Sequence, residues 1–310
     1  MNHSVLIVSS DAEQLAGLIH TRDGLAVATA SDENEAIAAY DGQSILFGSP
    51  LLISKVIADM PAVEWVQSTW AGNTPLLEIA RRDYVLTGIK DVFGPQMSEY
   101  VIGYLLAHEL RVAQRLLRQQ RRQWCPEQSG RLAGKRMGVM GTGSIGQAIA
   151  IQAANFGVSA TGLSRTGRPV AGFEHVFPVE RIREFLPGLD YLVAVLPDTA
   201  ETTHLLDAET LAMLPGHAVF VNVGRANVVD DNALVAALGE GKLGGAVLDV
   251  FDEEPLPDES PLWDTPNLTI TAHIAAVSYP ELIVPIFLEN YRRFTSNQEM
   301  MHIIDFEQGY

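Results

Sequence analysis

Cysteine is almost missing from this chain. Cys125 is the only one in 310 residues, which excludes an intrachain disulfide framework and any cysteine-based metal cluster. Long apolar runs are missing too, since none reaches the roughly 18 residues that a membrane-spanning helix needs. The start, MNHSVLIVSSDAEQL, has a short apolar run with no basic segment before it and no small-residue cleavage site. It is therefore expected to be a first strand and not a secretory signal, and the chain is expected in the cytoplasm. Positive charge is scarce: 21 Lys and Arg stand against 38 Asp and Glu, a formal net charge of −17. Such a field repels phosphates, so nucleic acid and anionic membranes are excluded as main partners, and an anionic small molecule would have to be met by local arginines. The basic residues cluster between Arg111 and Arg122, and read as the solvated or subunit-facing side of a long helix. There is no low-complexity linker and no short-period repeat.

What is present begins with the stretch from Lys135 to Phe156, KRMGVMGTGSIGQAIAIQAANF. An apolar run at Met137, Val139 and Met140 leads into three spaced glycines. Ile145, Ala148, Ile149, Ala153 and Phe156 then recur with helical spacing. Gly141, Gly143 and Gly146 form G-x-G-x-x-G. Each lacks a Cβ where a dinucleotide-binding turn needs none: at the tight turn, beside the pyrophosphate, and between helix and strand. The N–H groups opening the helix at Ser144 and Ile145 would then face the phosphates.

Around this stretch short apolar runs alternate with helical patterns, as in a parallel sheet covered by helices. Val5 to Val8, Leu25 to Thr29, Ile45 to Phe47, Trp65 to Ser68 and Tyr84 to Thr87 read as strands of a first half. That half has SSDAEQ and no glycine fingerprint after its first strand. One long helix is expected from Gln96 to about Gln123. Beyond the fingerprint, strands are expected at Val158 to Leu163, Tyr191 to Leu196, Ala218 to Asn222, Gly244 to Leu248 and Leu268 to Thr271, six in all with the first. Asp230 to Leu238 and Glu281 to Phe294 read as helices, and the closing MMHIIDFEQGY is expected to return to the first half.

In sheets of this kind the ligand lies beyond the carboxyl ends of the strands. The strand after the fingerprint helix ends in Ser164, Arg165, Thr166, Gly167 and Arg168. An acid about 20 residues past the first glycine would bind a free ribose diol. None stands there. The Arg165 fork with the hydroxyls of Ser164 and Thr166 suits a 2′-phosphate instead, with Arg168 as a secondary aid. Later strands end at Leu196-Pro197-Asp198-Thr199, at Val223-Gly224-Arg225, at Asp249 with Glu253-Glu254-Pro255 beyond it, and at Thr271-Ala272-His273. Arginine, acids and a histidine thus follow successive strands.

At these residues the chain resembles the D-isomer-specific 2-hydroxyacid dehydrogenases. The blocks are LAGK from Leu132, VLPDTAETTHLLD from Val195, VNVGRANVVD from Val221, LDVFDEEPLP from Leu248, SPLWDTPNLTITAHIAA from Ser260 and IDFEQGY at the end. Within the family it is most similar to the short bacterial glyoxylate and hydroxypyruvate reductases, through the SRTGR turn and the absence of a regulatory extension. The resemblance implies an α/β protein of two doubly wound parallel-sheet domains, a Rossmann cofactor domain (99–277) inserted into a flavodoxin-like catalytic domain (1–98 and 278–310). It implies NADP, or NAD, as cofactor and reduction of a small 2-keto acid to the D-2-hydroxy acid. Arg225 would hold the substrate, His273 would be the acid–base and Glu254 its partner. A neighbouring carboxylate raises the pKa of such an imidazole and orients it. The cofactor would be met by the glycines, Ser144, Ile145, Ser164, Arg165, Thr166, Leu196, Pro197, Thr202, Val223, Gly224 and Asp249, the last at the nicotinamide carboxamide. Ala71 and Gly72 would present backbone N–H groups to the substrate carboxylate. Trp70 and Asn73 depart from the family's Gly-Ala-Gly-Val-Asp, which bears on the substrate's side-chain pocket. Trp263 would add an aromatic wall or a buried anchor. The resemblance further implies a homodimer and a cleft closed by hinge motion. Two other readings stay open: a nucleotide-sensing binding protein of the corepressor type, and another oxidation such as that of phosphite.

Overall fold

The computed structural model describes residues 4–20 and 25–307, so the last three residues of the IDFEQGY block lie outside the described residues. Two compact units emerge, Met1–Val92 with Ser278–Tyr310, and Phe93–Val277. The first crossing comes ahead of the expected residue 99. The helix Gly94–Glu109 packs along the helix Ser144–Ala154 from its first residue, where a Cβ on Gly94 would lie 2.8 Å from that of Ala148.

In the smaller unit, β1 (Val5–Val8), β2 (Val27–Ala30), β3 (Ile45–Gly48), β4 (Trp65–Ser68) and β5 (Val85–Thr87) form a parallel sheet in the order β2-β1-β3-β4-β5. Strands β1, β3 and β4 are buried along their whole length, as expected where helices cover both faces of a sheet. One face is aliphatic, with Leu6, Val8, Leu46 and Val66 against Ile53, Val56 and Leu76. The other is aromatic. Phe287, on the helix Pro280–Thr295, stacks on Phe47 at 4.4 Å and on Trp65 at 5.5 Å. The chain end returns to this unit: Ile303 bridges Thr87 antiparallel at the β5 edge.

A buried polar knot ties these layers. Gln67 Nε2 donates to Gly88 O (2.9 Å), and Gln67 Oε1 accepts from Thr87 Oγ1 (2.9 Å) and Asn290 Nδ2 (3.0 Å). Trp65 Nε1 donates to Thr87 Oγ1 (2.8 Å), while Asn290 Oδ1 takes the Met301 N–H (2.7 Å). Buried polar groups are tolerated on this condition of mutual satisfaction.

The larger unit holds β6 (Arg136–Met140), β7 (Ser159–Ser164), β8 (His175–Pro178), β9 (Tyr191–Ala194), β10 (Val219–Asn222), β11 (Gly245–Leu248) and β12 (Leu268–Ile270). All are parallel, in the order β12-β11-β10-β9-β6-β7-β8. This is the doubly wound order whose switch point lies between β6 and β9. Seven strands replace the expected six. The additional β8, HVFP, has one fully buried residue and ends in proline, which a sheet edge accepts, so no apolar run announced it.

Two further expectations change. The long helix is broken: it ends at Glu109, Arg111 turns left-handed (φ 53°), and a second helix runs over Val112–Gln120. Arg115 Nε bonds the Leu110 carbonyl at 2.8 Å and so satisfies an acceptor freed by the break. Phe156 does not continue the buried stripe. It is 43% exposed, because the helix has ended and Gly157 (φ 73°) turns the chain toward β7.

Candidate active site

The glycine turn leaves β6 at the switch point. Gly141 has φ 102°, a conformation closed to side chains, and a Cβ there would lie 2.9 Å from Val195 O at the end of β9. A Cβ on Gly146 would strike the Gly141 carbonyl, so helix Ser144–Ala154 approaches its strand only through glycine. Gly143 is different. It is exposed, has open space where a Cβ would stand, and caps the helix with no side-chain bond. The helix therefore starts with N–H groups at Ser144 and Ile145 that no side chain caps, beside an open cradle. An anion fits that cradle, by hydrogen bonding and by the helix dipole.

Beyond β7, Ser164 Oγ accepts the Gly167 N–H (3.1 Å) and closes the turn, so Ser164 is partly spent on its own loop. Arg165, Thr166 and Arg168 are exposed, and among the described residues neither guanidinium has an acidic partner. Beyond β9, Leu196 is half-buried and Pro197 exposed. Thr202 is occupied locally: its Oγ1 lies 2.8 Å from Pro197 O and takes the Thr199 N–H at 3.0 Å.

Arg225 follows β10 and is shaped from below. Asn222, fully buried at the strand end, accepts the Gly224 N–H (3.1 Å) and donates to Arg225 O (3.0 Å). Gly224 is pressed against the β9 loop, where a Cβ would lie 2.8 Å from Leu196 N, and Val223 is buried beneath. Arg225 Nη1 donates to Gly224 O (2.8 Å), which leaves the rest of the half-buried fork for a ligand.

Glu254 and His273 meet. Glu254 Oε2 lies 2.8 Å from His273 Nδ1, and Glu254 Oε1 accepts the Phe251 N–H at 3.0 Å. A carboxylate facing Nδ1 calls for a proton on that nitrogen and leaves Nε2 as the outward face of the ring. Because β11 separates β10 from β12, the ends bearing Arg225 and His273 stand roughly 10 Å apart, two strand spacings. That gap suits a small molecule.

His273 itself is left-handed (φ 54°), a conformation that costs a side-chain-bearing residue on the order of 1 kcal/mol. Asp249 holds it there. Its carbonyl takes the His273 N–H (2.8 Å), Oδ1 takes Ile274 N–H (2.9 Å) and lies 2.5 Å from Thr271 Oγ1, and Oδ2 takes Ala275 N–H (2.9 Å). Asp249 is 2% exposed. It caps the histidine loop, and Oδ2 is the oxygen with capacity for a further donor such as a carboxamide.

In the smaller unit, the turn after β4 carries Trp70 and Ala71 exposed and Gly72 half-buried, with Trp70 N–H on Ser68 Oγ (3.1 Å). Among the described residues the N–H groups of Ala71 and Gly72 make no hydrogen bond. Asn73 is buried, and its Oδ1 lacks a partner. Trp263 is no buried anchor: it is 51% exposed and tethered through Nε1 to Pro257 O (2.9 Å).

Three residues of this region escape the sequence reading: Asn222, Thr271 and Tyr100, whose hydroxyl lies 2.6 Å from Thr271 Oγ1. A lone Asn ending an apolar strand, and a Thr two positions before the histidine, were the available signals. Tyr100 gave none.

Residues 102–275 match the family described as D-isomer specific 2-hydroxyacid dehydrogenase, NAD binding domain. A crystal structure of a D-isomer specific 2-hydroxyacid dehydrogenase family protein from Aeromonas salmonicida subsp. salmonicida A449 is 39% identical, with a TM-score of 0.95 over 99% of this chain and 100% of that one. The NADPH-dependent glyoxylate/hydroxypyruvate reductase from Sinorhizobium meliloti, in complex with NADP and sulfate, is 28% identical, with a TM-score of 0.85 over 99% of this chain and 100% of that one. Glyoxylate/hydroxypyruvate reductase A of Yersinia enterocolitica is 32% identical over 215 residues, 69% of each chain.

Proposed function

The chain belongs to the D-isomer specific 2-hydroxyacid dehydrogenase family and is an NAD(P)-dependent oxidoreductase. From that premise we propose that it reduces a small 2-keto acid of the glyoxylate or hydroxypyruvate type to the D-2-hydroxy acid, with NADPH preferred over NADH. When bound, the reduced nicotinamide supplies the hydride. Everything else falls to the chain's own residues.

Arg225 holds the substrate carboxylate in a charge-assisted contact and stands against the negative charge that grows on the carbonyl oxygen during reduction. His273 carries a proton on Nε2 and delivers it to that oxygen. Glu254 fixes the ring by its contact with Nδ1 and offsets the imidazolium charge. The pairing of Glu254 with His273 at 2.8 Å is the observation that carries this reading. Ala71 and Gly72 are proposed to offer their unspent N–H groups to the carboxylate. Trp70 would limit the side chain a substrate can bring, which favours the smallest 2-keto acids. The cofactor's phosphates are assigned to Gly141, Gly143, Gly146, Ser144 and Ile145. Its 2′-phosphate falls to Arg165, with Ser164 and Thr166. Leu196, Pro197, Thr202, Val223, Gly224 and Asp249 are the proposed frame of the remaining cofactor contacts.

Among the described residues no helix is long and apolar enough to cross a membrane. A homodimer is part of the proposal: the helix Val112–Gln120 buries none of its residues, and Leu116 and Leu117 are 55% and 52% exposed, with Trp124 beyond them at 95%. So large an apolar exposure suits a second copy of this chain. The net charge of −17 disfavours nucleic acid as a partner, and a cytoplasmic setting suits the single cysteine.

The test is a panel of small 2-keto acids offered with NADPH and with NADH, and the configuration of the glycerate formed from hydroxypyruvate. NADPH-linked turnover to D-glycerate is expected. Turnover of uncharged ketones as fast as keto acids, or formation of L-glycerate, would overturn it.

A further inference from the structure

Tyr100 lies in the middle of the helix Gly94–Glu109, and its hydroxyl is 2.6 Å from Thr271 Oγ1. Thr271 Oγ1 is in turn 2.5 Å from Asp249 Oδ1. The direction of this chain follows from its end. The Asp249 carboxylate takes the backbone N–H groups of Ile274 and Ala275, which can only donate, so it acts as an acceptor. Thr271 then gives its single proton to Asp249 and has only lone pairs left for Tyr100. Tyr100 must therefore donate. Burial pushes the Tyr100 phenol pKa up and the Asp249 charge adds to it, so the hydroxyl keeps its proton.

We propose that Tyr100 is a positioning residue for catalysis, anchoring through Thr271 and Asp249 the left-handed turn that aims His273 at Glu254. The proposal rests on the reductase reading given above for what the histidine does, but its structural part stands alone. Three features join here. Tyr100 is partly buried and packs on Tyr104 at 4.6 Å, so its hydroxyl has a fixed origin. Asp249 is almost fully buried, so water does not substitute readily for a lost partner. His273 holds a strained φ of 54° and relaxes if the loop's cap loosens. Loss of the hydroxyl thus acts on the angle of the imidazole, while the glycine turn and the Arg165 turn stay as they are.

The experiment compares the full-length protein with Tyr100→Phe, Thr271→Ser, Thr271→Val and the pair Tyr100→Phe/Thr271→Val. It reads amide hydrogen exchange at His273, Ile274 and Ala275, NADPH affinity, and kcat and KM for a 2-keto acid. Tyr100→Phe keeps the ring and should speed exchange at those three amides and lower kcat roughly three- to tenfold, the weight of one ordinary hydrogen bond, with KM and NADPH affinity unchanged. Thr271→Ser should behave as the parent. The double variant should be no worse than Thr271→Val alone, because the second loss falls on a chain already cut. Parent-like exchange and kcat in Tyr100→Phe, or additive losses in the double variant, would overturn the positioning role. If the parent turns over no 2-keto acid yet Tyr100→Phe still loosens the three amides, the reductase reading fails and the anchoring of the loop stands.

Discussion

The two units are parallel sheets with helices on both faces, and they differ in what their strands run into. In the smaller unit β1 ends in Ser9-Ser10-Asp11, where Ser9 Oγ takes the Asp11 N–H at 3.2 Å and the turn is closed upon itself. In the larger unit β6 ends in Gly141, and the helix after it starts with no side-chain cap. The same contrast holds for the polar side chains. The smaller unit buries Gln67, Thr87 and Asn290 and satisfies each from within. The larger one sets Arg225 and His273 at strand ends, where part of each side chain is left over, with Glu254 spent on orienting the histidine. Polar groups that satisfy one another inside a fold stabilise it, whereas polar groups left unspent at strand ends serve a ligand. The two kinds of residue should therefore fail differently.

The largest effect is expected at Arg225. Arg225→Lys keeps the charge and loses the planar fork, so kcat/KM for a 2-keto acid should fall by roughly 10²-fold while Tm stays near that of the parent. A large fall in Tm, or a change confined to cofactor affinity, would break the contrast. Next is Arg165→Ala, read as the ratio of kcat/KM with NADPH to that with NADH. One charge-assisted contact corresponds to about ten- to a hundredfold, and the ratio should drop by that factor through weaker use of NADPH alone. A preference that survives the substitution would move the 2′-phosphate elsewhere.

The smaller unit supplies the opposite case. Asn290→Ala removes bonds to Gln67 and Met301 in a fully buried place, so denaturant unfolding should show a loss of about 1–3 kcal/mol. At temperatures where the variant remains folded, its kcat should match the parent's. The smallest effect concerns Asp231 in the larger unit. Burial, with Asp252 and Asp230 nearby, pushes its pKa up to about 6. The folded chain then holds this proton more tightly than the unfolded one, so stability declines as pH rises from the ordinary carboxylate range to about 6, and the penalty stays constant above. Asp231→Asn should leave Tm unchanged near pH 4 and raise it at pH 7 by a few degrees at most, since solvent screens a partly exposed group.

How far the chain could be read depends on the range of each interaction. Val5–Val8 and Ile45–Gly48 were legible because a strand buried on both faces is apolar along its length. The glycine turn was legible because the absence of side chains is itself a local signal. Glu254 and His273 stood out through the blocks around them, although neither could show its partner. The break at Arg111 was hidden, since no Gly or Pro marks it and the residue that satisfies it, Arg115, is an ordinary helix former. Tyr100 and Thr271 are 171 positions apart, and no pattern along a chain reports a contact between a helix on the face of a sheet and a residue just past one of its strands.

The central claim is that His273, held by Glu254, delivers the proton in a keto-acid reduction. Its most direct test is the rate of NADPH oxidation with glyoxylate or hydroxypyruvate by the parent and by His273→Ala, alongside NADPH affinity measured by direct binding. The account predicts that kcat falls by at least ~10²-fold in the variant while NADPH binds as before. Near-parent turnover by His273→Ala would contradict it.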